Sequence, residues 1–293
     1  MQAPDSSVDP PAPRPPLLDR DLAWAGGRSP RELIILAGGL ALCCSELLDP
    51  RALDVGNFLV YVLATAAFAV RVYFARAAAV GACVGALAQQ WPHLRFGLDH
   101  VDAGTLGVFP LLALALLASP DLVRRFERET SRHRWLPNHW APFTATQTRT
   151  IRWSIYSAGA LAGLLDHTLQ LSRHHVMWAA VENVPVWPRV AMISIVVCAG
   201  LLVLGRAIGL IGLWLTSLVV AALIAPHAWA AEQWLLARDF PESAQVFWSA
   251  KHYLSPALLL AVITVITSTP FVLRLLRRVF LRAAPSEPSA DLE

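Results

Sequence analysis

Nine histidines are spread along this 293-residue chain, and seven of them stand near the edges of apolar runs in company with carboxylates. These are His93, His100, His167, His174, His175, His227 and His252, with Asp49, Asp54, Asp99, Asp102, Asp166, Glu232 and Asp239 close by. Neutral imidazole and carboxylate together are ligands for a divalent transition metal, and copper or zinc is the expected ion. Imidazole also changes charge near neutral pH, so the same residues could relay protons. The candidate ligand set is Asp49, His93, His100, Asp166, His167, His174, His227 and His252.

Asp166-His167 is the most informative pair, because it lies within the apolar run at 153–171, just after Leu164-Leu165. A carboxylate at the centre of a membrane span costs up to about 2.5–3.5 kcal/mol, so it is expected to face a bundle interior, a cavity or a partner. If the helix continues, His167 and His174 lie seven residues apart on one face. A plainer account also fits: histidine is a tolerated interfacial residue, and Asp99 and Asp102 could simply begin a helix, where negative charge is favourable.

Other chemistries find little support. There is no G-x-x-x-x-G-K-[ST] phosphate loop, no H-E-x-x-H and no G-x-S-x-G. Cys43, Cys44, Cys83 and Cys198 all fall inside apolar runs without metal-site spacing. Three methionines are too few to line a copper channel.

The elements that must carry these residues follow from composition. Apolar residues make up 56% of the chain and charged ones only 15%, against about 25% charged in ordinary soluble domains. The expectation is an all-α, polytopic membrane bundle. Apolar runs fall at 32–48, 57–71, 76–91, 104–119, 153–171, 189–205, 207–226 and 253–273. Two longer stretches, 57–91 and 189–226, far exceed a hydrocarbon core of about 30 Å as single helices. They are expected to fold as hairpins, turning at Arg71 and Arg76 and at Arg206, the second helped by Gly205 and Gly209. Eight transmembrane helices result.

Charge sets their orientation. With a cytoplasmic amino terminus, 18 of the 24 basic residues fall on cytoplasmic segments. The expected location is therefore the cell inner membrane, multi-pass, with both termini cytoplasmic. The chain divides into a Pro-rich tail at 1–30, helices 1–4 at 31–119, a basic segment at 120–152, helices 5–8 at 153–273 and a tail at 274–293. The first tail, with seven prolines, is expected to be extended, and the basic segment to hold a short amphipathic helix on anionic lipid. Segment 227–252 is expected to form two short interfacial helices split at Asp239-Phe240-Pro241.

A 4+4 parallel pseudo-repeat is a further expectation. Leu47-Leu48-Asp49 matches Leu164-Leu165-Asp166, Pro92-His93 matches Pro226-His227, and His100 matches His252. A two-fold arrangement would gather these residues around one axis.

Three functional classes follow. The first is transport or delivery of a transition-metal ion or protons at an outward-facing His/carboxylate site. The alternative is a non-catalytic membrane regulator or scaffold that holds a soluble cytoplasmic partner. The third is a membrane-embedded enzyme with an acid/base site. Besides the lipid bilayer and that soluble partner, no nucleic-acid partner is expected at a net charge of +3.

Overall fold

A computed structural model describes residues 16–48, 55–96, 101–126, 145–173, 187–236 and 251–283. Eight long helices account for most of them: α1 (Pro30–Leu48), α2 (Val55–Val70), α3 (Ala75–Phe96), α4 (Val101–Leu117), α6 (Ala145–Arg173), α7 (Trp187–Val203), α8 (Ala207–Leu236) and α9 (Lys251–Ala283). Between α4 and α6 lies the short α5 (Pro120–Arg124). Each of the eight apolar runs coincides with one long helix. No strand occurs among the described residues, which are joined outside the helices by one antiparallel bridge between Leu22 and Arg28. The all-helical expectation therefore holds.

Membrane-spanning capacity is narrower on length and composition. Among the described residues one segment, Ser255–Arg277, is long and apolar enough to cross a bilayer. Five shorter apolar stretches accompany it: Phe58–Val70, Ala75–Ala88, Val108–Leu117, Arg189–Val203 and Ile208–Ile224.

Both expected hairpins are present. After α2, Arg71 adopts φ +57°, with Val72 N–H donating to the Ala67 carbonyl and Arg71 N–H to that of Phe68. After α7, Gly205 adopts φ +74°, with Arg206 N–H donating to Leu201 and Gly205 N–H to Leu202. Both are the left-handed stop that reverses a helix and satisfies its last carbonyls. Glycine is the usual residue there. Arginine at the first turn is a strained choice that must be held by its side chain.

Helices α1–α4 pack in sequence, and α1 also touches α4. Helices α6–α9 do the same, with α6 against α9. The two groups join chiefly through α3 and α6. A two-fold relation between the groups would pair α8 with α1 in the same way, yet α8 packs on α7 and α9 instead. Among the described residues, the repeated hairpins are thus not accompanied by two-fold packing of the halves.

Four boundaries differ from the sequence expectation. Residues 16–29 are not an extended tail: they form turns at Leu17–Asp19 and Ala23–Ala25 and fold onto the bundle, held by ion pairs described below. Residues 145–152 belong to α6 rather than to a separate basic segment. The main apolar side chains of the 120–126 segment turn into the bundle, because Leu122 and Phe126 are buried and Phe126 stacks on Phe68. Helix α8 runs through Pro226 to Leu236, so the first part of segment 227–252 continues that helix. The Asp239-Phe240-Pro241 break lies outside the described residues.

Candidate functional site

Polar chemistry with defined geometry is concentrated at the end of the bundle that holds the α2–α3 turn, the start of α1 and α5. Its centre is Glu32, in the first turn of α1 and wholly buried. Arg71 donates to Glu32 Oε2 through Nη2 at 2.8 Å and Nε at 3.2 Å. Arg28 Nη1 stands 3.6 Å from the same oxygen, and Arg125 Nη1 stands 3.8 Å from Oε1. One buried carboxylate is thus faced by three guanidinium groups from three parts of the chain.

Local sequence explains how Glu32 reaches this place. Ser29 accepts the Glu32 N–H on its hydroxyl at 3.3 Å and the Leu33 N–H on its carbonyl, which caps α1. Pro30 then opens the helix, where its missing N–H costs nothing. Ser29-Pro30-Arg31-Glu32 has the S-x-x-E pattern of a capping box. Here the Glu32 side chain meets arginines, while Arg28, Arg31 and Arg71 draw residues 16–29 inward. Arg31 pairs with Asp19 at 2.8 Å, and Arg71 donates to the Gly27 carbonyl at 3.1 Å. That grip accounts for arginine in the left-handed position at the first hairpin.

Arg125 ties the third element in. It binds Asp21 and Asp121 through its guanidinium and donates to the Asp19 carbonyl at 3.0 Å. Burial alone would lower its pKa, but the hydrogen bonds and charges of Asp21 and Asp121 outweigh that and raise it. Arg76 adds a bond from Nε to the Leu117 carbonyl at 2.8 Å, closing the end of α4. Mixed charge at this density makes a folded, rigid face from what is otherwise the basic end of the molecule.

The described His/carboxylate candidates lie away from this end. His93 lies on α3, Asp166 and His167 on α6, His227 on α8 and His252 near the start of α9. Asp49, His100 and His174 lie outside the described residues. Among the described residues, no group of three or more metal-ligating side chains comes together.

Backbone register nevertheless relates three of the candidates. A Cβ placed on Gly81 would meet the Ile155 carbonyl oxygen at 2.9 Å, and one on Gly85 would meet that of Gly159 at 2.6 Å. On Gly159 and Gly163 it would come closer still to the carbonyls of Gly81 and Gly85. Rising numbers on α3 therefore match rising numbers on α6, so the two helices are parallel and in backbone contact. Carried along the pair, this register sets Asp166 and His167 level with Gln90 and Trp91. His93 follows within one helical turn, a rise of about 5.4 Å. Helix α9, which carries His252 near its start, also packs on α6.

Two features escaped reading from sequence although each had a signal. Gly81-Ala82-Cys83-Val84-Gly85 and Gly159-Ala160-Leu161-Ala162-Gly163 are both G-x-x-x-G patterns in apolar helices, the signature of close helix contact. The Ser29-to-Glu32 capping pattern likewise marked a folded start to α1 inside what composition presents as a tail. No protein-family model, curated protein or solved structure matches the chain.

Proposed function

We propose that the chain is an eight-span integral membrane protein of the inner membrane, with both termini cytoplasmic, that handles a transition-metal ion or protons at the bundle end bearing His93, Asp166 and His167. The carrying observation is the parallel α3–α6 contact, whose register brings these three residues to within about one helical turn of one another on two touching helices. Copper and zinc suit imidazole with carboxylate. With no second catalytic motif beside the ligands, transport or delivery fits better than catalysis.

Membrane residence is supported by the outer surface of the bundle. Leu40, Leu59, Leu111, Ile208, Leu259 and Ile266 are all exposed, on five different helices. Soluble monomers rarely expose contiguous apolar surface on that scale. The α3–α6 interface is built on glycine, as expected where lipid offers no hydrophobic drive for association. Buried hydroxyls in α9 donate to carbonyls of their own helix, Thr264 to Leu260 and Ser268 to Thr264, which suits a helix denied water.

Mass spectrometry of detergent-purified protein tests the site. Near-stoichiometric copper or zinc is expected in the wild type, falling at least about ten-fold in His93→Ala/His227→Ala, as for loss of a metal ligand or its support. Metal-free protein that takes up no added ion and moves no protons in vesicles would overturn the proposal. One observation favours the alternative role of membrane scaffold: the folded segment 16–29 presents Leu17 and Trp24 outward, 73% and 80% exposed, from a face fixed by the Glu32 network. Its mark would be a soluble protein that co-purifies with the wild type and is lost with Trp24→Ser.

A further inference from the structure

An apolar groove of about 290 Å³ runs between α2 and α7, with the α3–α6 contact as its floor. Gly81, Ala82, Ala158 and Ala162 form the floor, and Leu63 and Ile195 stand in the walls. Small side chains create the space: α3 and α6 approach at glycine, while α2 and α7 touch each other only lightly. No polar side chain lines it.

Its length and ends limit what fits. Along α2 the lining runs from Val60 to Val70, about 15 Å at 1.5 Å per residue. That is half of a hydrocarbon core of about 30 Å, the reach of one leaflet. One end is formed by Val70 and Val72, which flank Arg71, and by Val203 and Leu204, two residues before Arg206. Arg71 keeps a third of its side chain exposed, and Arg206 is exposed. The groove is therefore dry along one leaflet, with the exposed cation Arg206 at its mouth beside Arg71, whose charge is shared with Glu32.

We infer that this groove holds one acyl chain of an anionic phospholipid, with the headgroup phosphate at the α2–α3 and α7–α8 turns against Arg71 and Arg206. The assignment rests on the membrane reading above and adds a specific ligand to it. Charge complementarity selects an anionic headgroup over a zwitterionic one, and an all-apolar lining of leaflet depth selects a chain. A side chain at Gly200 is the sharpest probe. Its Cβ would lie 3.7 Å from Leu63 Cδ1, ordinary contact, so a larger residue there extends into the groove without meeting backbone.

The test is native mass spectrometry of the full chain taken from nanodiscs of phosphatidylglycerol or phosphatidylcholine. Wild type is expected to retain one phosphatidylglycerol, preferred by about five-fold per contacting arginine. Gly200→Phe should lose the retained lipid, and Ala67→Leu, on the opposite wall, should do the same if the first variant fails to fold. Arg206→Gln should keep a bound lipid and lose most of the preference. Equal retention of both lipids by the wild type, or undiminished retention in a folded Gly200→Phe or Ala67→Leu, would overturn the assignment. Membrane-integrated protein with no retained lipid would overturn the groove alone. Recovery of the chain as a soluble protein without detergent would overturn the membrane reading with it.

Discussion

Gly159→Leu is expected to dismantle the bundle. Even a single Cβ on Gly159 would run into the Gly81 backbone carbonyl, and leucine adds three further carbons. An overpacked side chain usually costs about 1–3 kcal/mol because neighbours can shift. Here the obstacle is main chain in a regular helix, so α3 and α6 must separate. Much of the contact between the two helix groups goes with them. The expected cost therefore exceeds about 3 kcal/mol, a large share of the roughly 5–15 kcal/mol available to a domain. Size-exclusion profiles and thermal melts in detergent should show loss of the monodisperse species. Gly200→Ala, whose Cβ would make only ordinary contact with Leu63, should melt like the wild type. A wild-type melt for Gly159→Leu would refute the backbone contact.

Glu32→Ala should be nearly as damaging, by electrostatics rather than volume. Removing one partner of a buried ion pair costs about 3–5 kcal/mol, since the charge left behind has lost its compensation. Three guanidinium groups lose it here, although Arg28, Arg71 and Arg125 keep 19–33% of their side-chain surface in contact with solvent and can partly rehydrate. The lower end, about 3 kcal/mol, is the expected value. Asp21→Ala supplies the contrast. Asp21 is 63% exposed, and an exposed pair is worth about 0–1 kcal/mol, so its loss should scarcely move the melt. Protease digestion offers a second measure: residues 16–29 should become cleavable in Glu32→Ala and stay protected in Asp21→Ala. Equal behaviour of the two variants would mean that Glu32 does not organise this face.

Apolar patterning carried most of the architecture because helices in such a chain begin and end where hydrophobicity does. The arginine-marked hairpins were legible for the same reason: a charge cannot stay mid-span, and Gly205 supplies the left-handed turn. What composition missed were places where a few specific contacts override an average. Residues 16–29 are rich in turn formers, yet Arg28, Arg31, Arg71 and Arg125 hold them to Glu32, Asp19 and Asp21. Pro226 reads as a helix end, but α8 passes through it, as helices packed among neighbours can. The α3–α6 partnership needed tertiary information. Each G-x-x-x-G motif announces a close contact without naming its partner, and the repeated tripeptides pointed toward a two-fold pairing that the helix contacts do not have. Of the candidate ligands, the helix register brings His93, Asp166 and His167 to within about one helical turn of one another, which no local pattern could have established across the 72 residues between His93 and Asp166.

If the chain spans the membrane as proposed, its Glu32 end and its His/carboxylate end face opposite sides. Single cysteines reporting from each end measure this directly. In a background with Cys43, Cys44, Cys83 and Cys198 replaced by alanine, Arg20→Cys marks the first end and Arg173→Cys the second. A membrane-impermeant maleimide should label Arg20→Cys only in inverted vesicles and Arg173→Cys only in right-side-out vesicles. Labelling of both from the same side, or release of the chain from membranes by alkaline carbonate, would contradict it.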